Sequence, residues 1–464
     1  MKFLIIVMTL ALGALGACTR RNPAVCCLDT QSCATIGVDE LRPCSDGLAC
    51  VDNECVTSKC SQAGCMAEAP VCNVTTDVCE ACDSNADCGR FTEEIRCNTA
   101  TGGCVECLQS SDCGPTEPVC AGGACRGCKV DAECETGACG DDGRCVAAEK
   151  IVYISPVGTD AGACDAAAPC RTVPYGLAKT APARNHVVLA TGSYPMPVNF
   201  ALDSTVTTAT KMVIHGGGGA ALASTSGETP TLVARISVDL RDLEISSPNV
   251  ALSLGTSSGT NTLTNVVLRA SGIALDIGPG VHRLSNVSAL GTGHSRGIRI
   301  SDGANVSADR LKVQRFATCI DVNVGADPQL DLKNGAVFDC TERAMELQYA
   351  TGLIEFTTVA RSGANSGPGP RAVECTGQMT FRSSIIWAPG SERAAIAGCT
   401  LASTIAGPTA VPGASNADPL LTPDLRLGVG SPARDATQSG PPHDADANPR
   451  PIGAGYDLGA YETP

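Results

Sequence analysis

Residues 275–277 read "LDI", and the same apolar–charged–apolar phrase returns as "IRI" at 298–300, "IDV" at 320–322, "MEL" at 345–347 and "VEC" at 373–375. Alternation with a period of two belongs to an extended strand, whose successive side chains leave on opposite faces. The flanking apolar residues therefore point inward and the charged one outward. A second phrase starts at Leu263, Leu284, Val306, Leu330, Ile354 and Met379, at intervals of 21 to 25 residues. Such an interval suits one turn of a coil whose rungs close only against their neighbours. The fold class expected is all-β: a single-stranded parallel β-helix of 21–25 residues per rung. Stacking places Asp276, Arg299, Asp321, Glu346 and Glu374 in one outward column, neighbours ~4.8 Å apart. Asn265 and Asn286, 21 residues apart, are set to form a short asparagine ladder.

The remaining cysteines of this half fit the same period. Cys319 and Cys340 are 21 apart and Cys375 and Cys399 are 24 apart. Equivalent positions on adjacent rungs lie at a separation a disulfide accepts. Upstream, "VYISPVGTDAGACDAAAPCRTVPYGLAKTAPARNHVVLATGSY" (152–194) reads as a strand, a small loop closed by Cys164 and Cys170, a short helix and another strand. Thr172 is its N-cap, Pro174 stands in the first turn, and Val173 and Leu177 share a face. The pieces "SPVGTD", "PCRTV" and "VVLATGSY" resemble the opening of right-handed parallel β-helices of the pectin-lyase-like superfamily. That resemblance implies a helix covering the open end of the coil.

At the other end, "ADPLL", "LRLGVGSPARDA" and "NPRPIGAGYDLGAYE" resemble the choice-of-anchor Q segment that follows bacterial surface β-helices. Arg434 and Thr437 depart from that pattern, where an apolar residue and a glycine are usual. Physically, such a segment covers exposed strand edges. Asp444 and Asp446 beside His443 are read as a polar turn rather than a cation site.

The first half differs in composition. Of 29 Cys, 22 fall within residues 26–145. The spacing Cys-x-x-Cys followed by a third Cys occurs at Cys79/Cys82/Cys88, Cys104/Cys107/Cys113 and Cys125/Cys128/Cys134. It divides the segment into units of four, each Cys-x-x-Cys being a junction between two units. Four cysteines allow three pairings, and the sequence does not choose among them. With few aromatic or regularly placed β-branched residues, the segment must be stapled rather than packed. It is a disulfide-rich, loop-rich repeat region. It carries 21 Asp+Glu against 7 Lys+Arg, nearly all of the net charge of −15, and reads as a solvated acidic stalk. A basic face for nucleic acid is missing. Asp83, Asn85, Asp87 and Glu94 fall at calcium-loop spacing, but Gly89 comes one place late and Cys88 interrupts.

The chain opens "MKFLIIVMTLALGALGACTRR". Phe3 to Leu15 is apolar and too short to span a bilayer, as in a signal peptide. "LGAC" resembles a bacterial lipobox, which implies acylation of Cys18 and a membrane anchor. Thr19 after it implies export to the outer membrane of a Gram-negative bacterium, at the cell surface or the periplasmic face. Removing Cys18 leaves an even 28 Cys, and secretion favours disulfides over zinc or redox dithiols. The organisation expected is a signal peptide at 1–17, a lipidated N-terminus and linker at 18–25, the stalk at 26–145, the β-helix with its helix cap at 151–405 and the C-terminal cap at 406–464.

The outward column holds the best candidates for chemistry. Asp321, Glu346 and Glu374, with Arg299 beside them and Arg310, Lys312 and Arg315 on the following strand, suggest three uses. Calcium bridges stacked carboxylates, a carboxylate pair hydrolyses glycosides, and a base opens a uronate. A solvated stripe is the plainer reading. Aromatics make up 3% of the chain, with Trp387 alone among tryptophans. No nucleophile elbow, phosphate loop or zinc motif is present. The expected function is surface display of a β-helix for adhesion, or for binding an extracellular polysaccharide or surface protein. The alternative is a calcium-dependent polysaccharide lyase or glycoside hydrolase, and a further one a structural spacer. No cofactor is required; calcium is the one the column invites.

Overall fold

The computed structural model describes residues 64–464, except 74–77, 198–199, 225–226, 228–229, 256–258, 302, 324–327, 364–370 and 390–393, together with two strands at Leu48–Val51 and Glu54–Thr57. The signal segment, Cys18 and the linker lie outside the described residues. Two compact units form, Met1–Cys128 with Asp142–Arg144, and Lys129–Asp141 with Cys145–Pro464. The composition changes at residue 145, but residues 129–141 already belong with the second unit. There Ala138, Val146 and Ile151 make a buried cluster against Tyr153 and Val188.

The second unit is a parallel β-solenoid. One inward column runs Val152, Val187, Ile214, Leu240, Leu263, Leu284, Ala308, Leu332, Ile354, Phe381 and Leu401, each paired in register with the next. From Val187 onward the steps are 20 to 27 residues, a wider range than the sequence phrases suggest. Ten of these eleven residues are buried in one continuous core; Leu401 packs against its end.

The register expected from the second phrase is corrected at three rungs. Leu284 pairs with Ala308, not Val306; Ile354 pairs with Leu332, not Leu330; and Ile354 then pairs with Phe381, not Met379. Each error is two residues. A slip of two keeps the same side chains inward, so the hydrophobic pattern cannot detect it.

The long strands Ser237–Ser247, Thr260–Ala270, Gly280–Leu290 and Ala304–Gln314 each turn a corner midway. Asp242, Asn265, Asn286 and Arg310 sit at that corner with φ of 53°, 55°, 53° and 57°. Asn and Asp tolerate this left-handed conformation best of the residues with a Cβ. The corner is also a ladder: Asn265 Nδ2 donates to Asp242 Oδ1 and Asn286 Nδ2 to Asn265 Oδ1, both at 2.8 Å.

Both ends of the coil are covered. The helix Val173–Leu177 follows Thr172 and buries Val173, Gly176 and Leu177. A Cβ on Gly176 would come within 2.4 Å of Ile154 Cδ1, so only glycine lets the helix lie flat on the first strand. At the far end Val411 and Ala414 pack on the core, while Leu425, Leu427, Ala433, Leu458, Ala460 and Tyr461 lie along the flank of the last rungs, on Ala336, Ala360, Ile385 and Ile405.

Four described disulfides fasten this unit: Cys134–Cys145, Cys164–Cys170, Cys319–Cys340 and Cys375–Cys399. The last two do not join equivalent positions, as the sequence argument supposed. Thr318 and Ile320 pair with Arg343 and Met345, which sets Cys319 opposite Ala344. Glu374 pairs with Ala397, which sets Cys375 opposite Gly398. The sulfurs bridge rungs obliquely, with Cα atoms 5.8 and 5.2 Å apart.

In the first unit the pairing left open by the sequence is first-with-third and second-with-fourth. Cys82 bonds Cys97 and Cys88 bonds Cys104; Cys107 bonds Cys120 and Cys113 bonds Cys125. Cys97 faces Cys104 across a hairpin, as Cys120 faces Cys125, yet each reaches back to the preceding loop instead. That arrangement staples each of these two hairpins twice.

Candidate functional site: a charged ladder on the outer face

Short strands carry the apolar–charged–apolar phrase, and they stack in the register the sequence predicts. Asp276 pairs with Arg299, Arg299 with Asp321, Asp321 with Glu346 and Glu346 with Glu374. Their flanking residues, such as Leu275 and Ile277 or Met345 and Leu347, are buried. The charged column is therefore built by the strand period.

Its electrostatics differ from a bare acidic stripe. Arg299 holds Asp276 with two hydrogen bonds, Nε to Oδ1 at 2.8 Å and Nη2 to Oδ2 at 2.7 Å. That bidentate contact is the main reason the Arg299 guanidinium is held above its usual pKa. Arg343 lies 3.1 Å from Glu346 and 3.0 Å from Glu374, clamping both. Gln348 Nε2 donates to Glu346 Oε1 at 2.7 Å. Every acid of the column thus meets an arginine.

Asp321 is the exception in environment. Its side chain is 0% exposed. Arg296 Nε approaches Oδ2 to 2.8 Å as an ion pair, but the geometry leaves both carboxylate oxygens without a hydrogen-bond donor. Burial pushes this carboxyl above the usual range; Arg296 pulls the other way and Glu346 adds to the rise. Arg296 and Arg343 were not among the residues foreseen. Their signal is present in "RGIRI" and "RAMEL", where an arginine opens the strand three places before the charged residue.

Arg310 and Lys312 belong elsewhere. They lie on the strand Ala304–Gln314 of a different sheet. Arg310 donates to Ser285 Oγ, and Lys312 Nζ binds Asp446 Oδ1 at 3.0 Å. Arg315 follows that strand at a left-handed position. None of the three extends the column, because the corner in each rung turns them away from it.

The ladder does not fit calcium. That ion takes six to eight oxygens free to converge on it, and here Asp276, Glu346 and Glu374 are engaged by guanidinium groups. Among the described residues, the only groups of three potential ligands close enough to share an ion are cysteines, and those sulfurs are bound in disulfides. The spacing Asp83, Asn85, Asp87 and Glu94 does not form a cation loop either. Asp87 Oδ2 accepts the backbone N–H groups of Asp83 and Ser84, and Asn85 Oδ1 accepts that of Cys97. Asp112 and Glu133 repeat the role of Asp87, accepting from Leu108 and from Lys129. In these three units the acid before the second Cys is a helix cap. Asp444 is buried and accepts the N–H groups of Asp446, Asn448 and Glu462, a polar turn.

A second polar cluster had no sequence signal. His186 Nδ1 lies 3.0 Å from His215 Nε2, and His215 Nδ1 lies 2.7 Å from Asp131 Oδ2. His215 is fully buried. Burial, then the neighbouring His215, lowers the His186 pKa to about 4. The cluster ties residues 129–141 to the first rungs.

No family model matches the chain, and no curated protein matches it. Among solved structures, the chain is similar to pectate lyase Pel9A at 13% identity and a TM-score of 0.43, over 68% of this chain and 97% of that one. It is also similar to a rhamnogalacturonan lyase at 10% identity and a TM-score of 0.28, over 55% and 87% of the two chains. At these scores the assignment of a parallel β-solenoid rests on the strand register itself.

Proposed function

We propose that this protein is a lipid-anchored surface protein that displays its β-helix as a binding face for an extracellular glycan or matrix component, without processing it. The observation that supports this reading is the pairing of the ladder: each carboxylate offered as base, acid or ion ligand is already met by arginine. A rigid row of carboxylates paired with arginines, held by buried neighbours, suits recognition of an extended polar ligand. The anchor is Cys18, by resemblance to the lipobox, and the membrane placed there is the outer membrane. The test is a glycan array and a polysaccharide depolymerisation assay on the same full-length preparation. Binding without chain cleavage supports display; release of unsaturated or reducing ends overturns it.

One observation favours the enzyme reading. Asp321 is a buried carboxyl with a raised pKa among Arg296, Arg299 and Arg343, a setting in which functional acids and bases are often found. On that reading the protein is a polysaccharide lyase or hydrolase. Asp321→Asn would then abolish cleavage while leaving the fold intact.

A further inference from the structure

A cavity of about 840 Å³ lies away from the ladder, between the last rungs and the C-terminal segment 418–425. Trp387, Arg361, Pro389, Asp418, Leu420 and Thr422 line it. Trp387 is the only tryptophan of the chain. In its stack it stands between Ala360 and Gly407. A Cβ on Gly407 would fall 2.4 Å from Trp387 Cζ3, so glycine packs flush against the indole and fixes it. The small neighbours keep one side of the ring tightly supported and leave the half-buried indole bordering the cavity.

The wall opposite is also unusual. Leu420 is 43% exposed and has φ +50°, a conformation that costs a leucine energy and that Asn or Asp adopts more readily. An apolar side chain held at a cavity rim at that cost is a feature of binding sites. Arg361 is not a free cation: it binds Asp339 through Nε at 2.7 Å and Nη2 at 3.2 Å, and donates to Pro423 O. Asp418 Oδ1 accepts the Leu420 N–H, leaving further acceptor capacity. The Thr422 hydroxyl is held within its own turn by Asp424 and Arg426. A fixed aromatic face, apolar rims and a carboxylate, with no unpaired cation among the described lining residues, match the two-sided chemistry of an uncharged pyranose. Its axial C–H face packs on an indole, and its hydroxyl edge donates to oxygen acceptors.

We propose that this cavity is a subsite for a neutral hexose or N-acetylhexosamine unit of a polysaccharide, stacked on Trp387. The inference rests on the glycan-binding reading and names where one sugar sits. The single tryptophan makes the test direct, because intrinsic emission reports on this cavity alone. Titrate the full-length protein with malto-, cello-, chito- and galacturono-oligosaccharides. A saturable change in emission is expected for one of the neutral series. Leu420→Asn relieves the left-handed strain and removes the apolar rim. It should weaken binding several-fold while leaving the melting temperature equal or higher, which a merely structural leucine would not do. Trp387→Phe, followed by calorimetry, should weaken it at least about tenfold.

If the array shows glycan binding but emission never moves and Trp387→Phe binds as well as wild type, the subsite is overturned and the display reading stands. A blank array with silent emission overturns both. A response only to oligogalacturonides, or only to an apolar dye, overturns the assignment to a neutral sugar.

Discussion

Asp321 occupies an outward place in the strand pattern yet is fully buried, because a flanking column that includes Arg296, Thr318 and Arg343 closes beside it. Its folded pKa is raised by burial. The native state therefore holds a proton longer than the unfolded chain. Stability falls as pH rises from the ordinary carboxylate value to the folded one, and stays lower above it. Asp321→Asn should raise the melting temperature at neutral pH, a gain that vanishes as pH falls to the ordinary carboxylate range. A loss measured by calorimetry would show that the Arg296 ion pair outweighs burial. Glu346→Gln is a milder change, since Arg343 keeps Glu374. Stability should shift by no more than ~0.5 kcal/mol. Millimolar calcium should move neither protein's melting temperature; a calcium shift lost in Glu346→Gln would restore the ion site.

At the scale of elements, the corner ladder combines two demands, a left-handed backbone and a side-chain amide. Asn286→Ala fails both and should cost about 1–3 kcal/mol in chemical denaturation. Asn286→Gly keeps the backbone and should cost visibly less. If the two variants are equal, the hydrogen bond carries the corner and the φ does not. The histidine chain binds another element, residues 129–141. With its folded pKa near 4, His186 resists protonation that the unfolded chain accepts near 6.5. It therefore subtracts stability as pH drops through that interval. Asp131, Asp141, Asp239, Arg241 and His215 all act on the pair, and the buried His282, its pKa also lowered, adds a parallel effect. The difference between wild type and His186→Asn in urea melts should shrink from pH 7 to pH 4. A constant difference would mean that packing, not titration, is what His186 contributes.

At the scale of the whole chain, the two units are held by different forces and should fail differently. The solenoid has a continuous apolar core, whereas the described core of the first unit is a small cluster built around Cys82, Cys88, Cys97 and Cys104. Reductant with protease should digest the region before Cys128 and leave a resistant fragment that retains β-type circular dichroism. Survival of the Cys-rich region under reduction would show a core that its composition does not suggest. The proposed lipid anchor has its own test. Cys18→Ser should move the protein from membrane to soluble fractions, and persistence in salt-washed membranes would exclude the lipid.

The sequence alone determined the class of fold, because a period of two within strands and a rung-length period between them are local facts of the chain. It determined the outward column from Asp276 to Glu374 for the same reason. The small loop between Cys164 and Cys170 is legible from proximity. What only the tertiary structure decided are relations between segments whose separation the pattern leaves free. Register at Leu284, Leu332 and Phe381 slid by two, since either choice buries the same face. Arg296 and Arg343 became the partners of Asp321, Glu346 and Glu374 because stacking set them alongside, and that turned an open acidic stripe into a clamped ladder. His215 met Asp131 across 84 residues of sequence. Trp387 came to line a cavity only when the segment 418–425 folded back over the last rungs. Distance along the chain sets what a residue prefers, and contact across it decides which preferences are met.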